Sequence, residues 1–356
     1  MDMGSKNTSK KPIGVVGAGS FGTAVANILA ENNHQVLLYA RTPERAREIE
    51  EKRESAGHHL YDNVSVTNDL EQVGNACDVI FPVVPSANFR SMMKGLSPFL
   101  KPYHILIHGT KGFDLHVPDP SKINTQNPLS REHVRTMSEV ILEESSVVRV
   151  GCLAGPNLAR EISEKKPAAT VVASHFDEVI RVGQSLLKND RFLIYGSNDL
   201  IGIELCGILK NIIAVGAGTI AGLNLGENAR ALFVSRGLVE MVHIGKTLGG
   251  NAQAFLGLAG VGDLIATSGS SLSRNYTVGS RLANGEGIDE IIESMDEVAE
   301  GVKTVDIINE LSKTYKVRCP ITETLYRIIH KEISVDEAHK YLMKFPFRAE
   351  IDFLDK

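Results

Sequence analysis

The stretch "GIELCGILKNIIAVGAGTIAGLNLG", residues 202–226, constrains the fold more than any other. From Leu205 to Leu223 the only polar side chains besides Cys206 are Lys210, Asn211 and Thr219. No proline interrupts it, so it can run as one helix. A helix that is apolar all round must be buried in a large protein or in a membrane. About 20 apolar residues suffice to span a bilayer, and Gly218 and Gly222 match the small-xxx-small pairing pattern. Against a membrane span, Lys210 lies inside the stretch and glycines recur at 207, 216, 218 and 222. No second segment of this kind exists, and no Trp or Lys/Arg belt flanks this one. The reading that follows is a central helix packed on all sides, its glycines allowing close approach, with no membrane insertion. A lysine buried there costs several kcal/mol unless something compensates it.

At 356 residues the chain is long enough for two domains or three. The net charge of −5 gives no basic surface for nucleic acid. Residues 1–11 are polar and lysine-bearing, lack the apolar run of a signal peptide, and read as a disordered start. Cys77, Cys152, Cys206 and Cys319 are scattered in or beside apolar sequence, without metal-ligand spacing. They read as buried free thiols of a cytoplasmic protein. The His58–His59 pair has no ligand partner at helical spacing and reads as a solvated loop.

The first half alternates strands and helices. "PIGVVG", "HQVLLYA", "CDVIFPVVP", "HILIHGTKG", "VVRVGCLAGP", "AATVVAS" and "RFLIYG" are apolar runs rich in β-branched residues. Such runs, separated by helical segments, predict a parallel sheet covered on both faces. The expected unit is an α/β doubly wound domain over 12–197. After Asn198 no strand is expected; helices are predicted over 199–224, 228–249, 276–284, 287–295, 301–316 and 320–330. The region 198–356 therefore reads as an all-α domain. The polar, proline-bearing 113–131 segment reads as an exposed loop insertion.

"GVVGAGSFGTA" contains Gly17-Ala18-Gly19-Ser20-Phe21-Gly22. Following a strand and opening a helix, this is the context of a dinucleotide site. Gly17 makes the tight turn, Gly19 lets the backbone approach a pyrophosphate, and Gly22 lets helix and strand pack closely. The helix N-terminus offers amide donors and partial positive charge to that anion. At the end of the second strand, where an NAD enzyme usually carries Asp or Glu, stands Arg41, with Arg45 and Arg47 beyond. A guanidinium suits a 2′-phosphate and cannot accept from a 2′-hydroxyl. NADP (NADPH) is favoured over NAD on this ground; the alternative is that Arg41 stacks on the adenine and both cofactors bind.

Other polar residues follow strand ends or interrupt apolar helices. Lys111 sits in a glycine-flanked turn after a strand, in "HGTKGF". "LAGPNLARE" places Gly155, Asn157 and Ala159 similarly. "GLAGVGDLIAT" puts Asp263 and Thr267 on one face if it is helical. "SLSRNYTVG" groups Ser273, Arg274 and Asn275, donors suited to phosphate. Taken singly, the Asp-Thr pair is more often a cap, and the Ser-Arg-Asn run more often a solvated turn.

Together these motifs, with "LKNIIAVGAG", "LGENARA", "VAEGVKT" and "PITETLY", closely resemble the NAD(P)-dependent glycerol-3-phosphate dehydrogenases of bacterial type, from about Pro12 to Ile329. The resemblance implies a Rossmann-like domain followed by a helical domain like that of 6-phosphogluconate dehydrogenase. It implies interconversion of dihydroxyacetone phosphate and sn-glycerol 3-phosphate with NAD(P)H, supplying phospholipid synthesis. Lys210 of the "KN" pair would donate and accept the proton at C2, with Asn211 beside it. Lys111 would meet substrate and cofactor; Gly155, Asn157, Asp263, Thr267, Ser273, Arg274 and Asn275 would line the substrate pocket. Ser20, Phe21, Arg41, Ala159, Arg274, Val298 and Glu300 would touch cofactor. A small-molecule substrate and a homodimer are the expected partners.

The chain departs from the commoner pattern in three places: Phe21 stands where Tyr or Trp is frequent, Asn157 where Thr or Ser is usual, and the 113–131 insertion follows "TKGF". Other readings are a 3-hydroxyacid dehydrogenase of the 6-phosphogluconate dehydrogenase kind and a nonenzymatic NADP-sensing regulator. The regulator would have no reason to bury Lys210 near Asp263. Burial should lower the Lys210 pKa and Asp263 should raise it again.

Overall fold

The computed structural model describes residues 11–117, 128–295 and 299–344. The strands are β1 (Ile13–Val16), β2 (Val36–Tyr39), β3 (Glu54–Ser55), β4 (His58–His59), β5 (Val64–Thr67), β6 (Val79–Pro82), β7 (Ile105–His108), β8 (Asp114–Leu115), β9 (Val134–Arg135), β10 (Arg149–Ala154), β11 (Ala168–Ser174) and β12 (Phe192–Ser197). Helices α1 (Ser20–Glu31), α2 (Pro43–Lys52), α3 (Leu70–Ala76), α4 (Ser86–Leu96), α5 (Met137–Glu144), α6 (Ala159–Ser163) and α7 (Asp177–Leu187) separate them.

Eight strands form one sheet in the order β12-β11-β10-β7-β6-β1-β2-β5. The chain moves outward from β1 through β2 to β5, then returns to β6 on the other side of β1. That reversal leaves a crevice at the carboxyl ends of β1 and β6, the place where such sheets bind ligands. The β-branched runs are buried because helices cover both faces, as the clusters around Val15, Phe81 and Ile107 and around Leu37, Ile80 and Leu106 record.

The sheet is mostly parallel, but β10 and β11 pair antiparallel. The expected parallel sheet is observed with this one antiparallel pair in it. The link between them carries only the five-residue α6 and does not recross the sheet as a parallel connection must. It runs along the carboxyl edge, where it carries Gly155, Asn157 and Ala159. Edge strand β5, "VSVT", was too short and too polar to be read as a strand.

After Ser197 the described chain is helical. The helices are α8 (Leu200–Gly222), α9 (Glu227–Thr247), α10 (Ala252–Leu256), α11 (Asp263–Ser268), α12 (Arg274–Ala283), α13 (Ile288–Glu293), α14 (Glu300–Tyr315), α15 (Pro320–Ile329) and α16 (Val335–Met343), with a π-helical turn over Leu258–Gly262 before α11. α8 is long and apolar enough to cross a membrane, yet 94% of its most apolar window is buried inside the protein. α9, α11, α12, α14 and α15 surround it. Close approach explains its glycines: a Cβ on Gly218 would stand 2.0 Å from the Tyr276 carbonyl oxygen of α12. α11 gives the Asp263–Thr267 stretch the helical form on which their shared face depended, while α10 and α16, both short, were not expected.

Three further expectations need correction. Residues 1–10 lie outside the described chain, but Lys11 is placed, its Nζ 2.8 Å from Asp78 Oδ1. His58 and His59 form β4 of a small hairpin with β3 rather than a loop. Much of the 113–131 segment lies outside the described residues. Its flanks are not exposed loop: Phe113 and Leu129 are buried, and β8 pairs with β9. Apolar side chains at both ends of the polar stretch, Phe113 and Leu129, join one core cluster. All four cysteines are free and buried.

Candidate active site

The glycine loop follows β1 directly. Gly17 has φ +124°, and a Cβ there would stand 2.2 Å from the Val83 carbonyl oxygen. A Cβ on Gly22 would stand 1.8 Å from the Gly17 carbonyl oxygen. Both glycines are therefore required by the protein itself. Gly19 differs: a Cβ there would meet nothing within 4 Å. The open space at Gly19 fits close approach by a ligand. α1 starts here without a side-chain cap and without an acidic residue in its first turn. Its first amides thus point outward with positive polarity, as an anion requires.

A cleft of about 470 Å³ opens from this loop toward the helical region. Gly19, Ser20, Phe21 and Gly22 line one side, and Lys210, Asn211, Thr267, Ser273, Arg274 and Asn275 the other. Lys111, Asn157, Ala159, Arg160 and Glu300 also line it. The cleft joins residues from both halves of the chain.

Lys210 projects from α8 at the cleft floor. Its Nζ donates to Asp263 Oδ1 at 2.8 Å and to Thr267 Oγ1 at 2.5 Å. Thr267 in turn donates to Asp263 Oδ1 at 2.9 Å, so the i, i+4 pair shares one face of α11. Lys111 reaches the other carboxylate oxygen, Oδ2, at 2.7 Å, and also donates to the Gly155 carbonyl at 3.1 Å. Burial drives the Lys210 pKa down to about 8; Asp263 pulls it back up and Lys111 pushes it down again. For Asp263, burial raises the pKa, but the two lysines outweigh it and hold the carboxyl below its ordinary range.

Several expected residues also hold other residues in place. Asp263 is buried behind the lysines and does not line the cleft. The Ser273 hydroxyl caps α12 by accepting from Tyr276 N at 3.3 Å. Asn275 Oδ1 accepts from Gly301 N at 2.9 Å, fixing the start of α14. The Glu300 carboxylate accepts from Ser86 N at 2.8 Å and from Ser86 Oγ at 2.6 Å. It ties α14 to α4 across the cleft. Asn157 Nδ2 donates to Thr170 Oγ1 at 2.8 Å, while its Oδ1 is buried without a partner. Arg41 is exposed just beyond β2 and lies outside the cleft lining. Val298 lies outside the described residues.

Ser86, Thr170 and the Lys111–Asp263 pair were not foreseen. Ser86 carries a weak signal, as the first helical residue after the apolar run "VIFPVVP". Thr170 and the lysine pair carry none, because they depend on contacts between distant segments.

The comparisons with known proteins agree with this geometry. Residues 12–180 match the profile of the NAD-dependent glycerol-3-phosphate dehydrogenase N-terminus, and residues 199–340 that of its C-terminus. A glycerol-3-phosphate dehydrogenase [NAD(P)+] from Pseudomonas aeruginosa is 38% identical over 351 residues, covering 98% of both chains. The crystal structure of glycerol-3-phosphate dehydrogenase from Coxiella burnetii superposes with a TM-score of 0.84 at 30% identity, covering 94% of this chain and 99% of that one. The glycerol-3-phosphate dehydrogenase of Saccharomyces cerevisiae shares the fold, with a TM-score of 0.78 at 23% identity over 93% of this chain and 99% of that one. The paired profiles, the full-length likeness and a cleft built from both halves make this chain a member of the NAD-dependent glycerol-3-phosphate dehydrogenase family.

Proposed function

We propose that the protein interconverts dihydroxyacetone phosphate and sn-glycerol 3-phosphate with a nicotinamide dinucleotide as redox partner. The observation that carries this is Lys210, buried at the cleft floor between Asp263 and Thr267 and facing the glycine loop. The dinucleotide, when bound, supplies or takes up a hydride at C2 of the substrate. Gly19 and the first amides of α1 would hold its pyrophosphate.

The chain's own groups do the rest. Negative charge grows on the C2 oxygen as the carbonyl is reduced. The buried Lys210 ammonium stabilises that charge and then gives up a proton to complete the alcohol. In the reverse direction the neutral amine takes the proton. Asp263 and Thr267 hold the Nζ in place, and Lys111 brings a second positive charge to the same carboxylate. Arg274, at the first turn of α12, would hold the substrate phosphate. A nonenzymatic regulator has no use for this lysine pair, and full-length similarity to named glycerol-3-phosphate dehydrogenases disfavours a 3-hydroxyacid substrate.

The finer reading is a preference for NADPH, supported by Arg41 in the place where an acidic residue would bind a 2′-hydroxyl. Cytoplasmic location is proposed from the four reduced, buried thiols, and supply of glycerol 3-phosphate to phospholipid synthesis from the substrate chemistry. The test is steady-state oxidation of NADPH and of NADH with dihydroxyacetone phosphate, with dihydroxyacetone, and with neither. Oxidation dependent on the phosphorylated substrate and faster with NADPH is expected. No substrate-dependent oxidation with either cofactor contradicts the reading.

A further inference from the structure

We infer that His108 is a positioning residue, which through Glu204 sets the distance between the two lysines of the active site. His108 ends β7, three residues before Lys111. Glu204 lies on α8, six residues before Lys210. Both are buried, and His108 Nε2 stands 2.9 Å from Glu204 Oε1. The same oxygen accepts from Ser138 N at 3.0 Å, at the start of α5. The Ser138 hydroxyl lies 3.1 Å from the same Nε2, and Phe89 of α4 packs edge-on against the ring.

Glu204, Gly207 and Lys210 recur at three-residue spacing along one stripe of α8. Glu204 meets His108. Gly207 receives the Lys111 stem: a Cβ there would stand 3.4 Å from its Cγ and Cδ. Lys210 meets Asp263, whose other oxygen holds Lys111. The segment 108–111 is thus fastened to α8 at one end by the His108–Glu204 contact and at the other through Asp263. Sliding of α8 against β7 would alter the two lysine contacts together.

Stability does not explain the pair. His108 Nδ1 and Glu204 Oε2 are both buried without a partner. A buried polar pair with unfilled atoms is commonly matched or exceeded in stability by apolar residues of similar volume. What apolar residues cannot reproduce is the polar contact that fixes β7 against α8, the 2.9 Å approach of His108 Nε2 to Glu204 Oε1 beside the hydrogen bond to Ser138 Oγ.

The inference rests on Lys210 and Lys111 being the working groups, so Lys210→Ala is measured alongside. His108→Gln keeps an amide donor of similar reach; His108→Met has similar length and no donor. His108→Met should lower kcat tenfold or more, with KM for dihydroxyacetone phosphate and for NADPH within about threefold of wild type. His108→Gln should recover kcat to within about threefold. The double variant His108→Leu with Glu204→Leu, which removes both halves of the contact together, should fold and still show the loss in kcat. Equal kcat in the Gln and Met variants, or wild-type kcat in the double variant, overturns the inference. Should the double variant fail to fold, the Gln–Met comparison decides alone. If Lys210→Ala keeps its turnover, the reading of the site fails; if it loses turnover while His108→Met does not, only the positioning role fails.

Discussion

Lys111 and Lys210 approach one carboxylate from two different parts of the chain: Lys111 Nζ lies 2.7 Å from Asp263 Oδ2 and Lys210 Nζ 2.8 Å from Asp263 Oδ1. One buried negative charge therefore serves two positive ones. The net positive charge left over faces the cleft, where an alkoxide and a phosphate have to be held. Because burial first, and the second lysine after it, disfavour the charge on Lys210, it can release a proton near pH 8.

The pH dependence follows from that arrangement. Burial and Lys111 bring the Lys210 pKa to about 8. Carbonyl reduction needs the ammonium, so kcat/KM for dihydroxyacetone phosphate should hold level below pH ~8 and fall above it, since this parameter reports the free enzyme. Alcohol oxidation needs the amine and should rise through the same range. Profiles that bend in the same direction for both reactions contradict the assignment.

Arg274→Ala should weaken the hold on the substrate phosphate. Uniform binding of ground and transition states appears mainly in KM. The loss should be large with dihydroxyacetone phosphate and small with dihydroxyacetone. A loss of the same factor for both means that Arg274 does not bind the phosphate.

Arg41→Asp should move preference from NADPH toward NADH. It removes a cation suited to the 2′-phosphate, adds an acceptor for the 2′-hydroxyl, and sets a like charge against phosphate, so its effect should exceed that of Arg41→Ala. The kcat/KM ratio for the two cofactors should shift by about tenfold or more, the scale of one charge-assisted contact. An unchanged ratio in the aspartate variant would leave Arg45 or Arg47, or stacking on the adenine, as the explanation.

Glu240 gives a test of stability away from the cleft. It is buried on α9 and caps α15, accepting from Ile321 N at 2.8 Å and from Thr322 N at 2.9 Å. Burial pushes its pKa up from 4.5 to about 7, although the Thr322 hydroxyl and the two amides act the other way. The folded form thus holds a proton that the unfolded form has lost between pH ~4.5 and ~7, so this group's contribution falls as pH rises through that window. The melting temperature of Glu240→Gln, measured from pH 5 to 8, should drop less than that of wild type. A parallel drop removes Glu240 as the cause.

The glycine loop, the lysine helix and the Asp263–Thr267 face were legible in the sequence because each depends on local spacing. Gly22 is demanded by a backbone contact within the turn that its own motif builds, and Gly17 by the positive φ of that turn. The apolar run around Lys210 signalled burial directly. Lys111 joining Asp263, Asn275 holding Gly301 and Glu300 holding Ser86 were not legible, since each links segments far apart in the chain. Glu204 was missed for a plainer reason: the polar count of the apolar helix starts at Leu205, one residue too late. The β10–β11 reversal was hidden because a buried strand reads the same in either direction.

The central claim is that Lys210 supplies the charge and the proton at C2. Lys210→Ala, measured by single-turnover reduction of dihydroxyacetone phosphate with saturating NADPH, tests it most directly. The variant should fold, bind NADPH with near wild-type affinity, and lose about 10²- to 10⁴-fold in rate, the range for a missing general acid and charge stabiliser. A Lys210→Ala protein that reduces the substrate at more than a tenth of the wild-type rate contradicts the account.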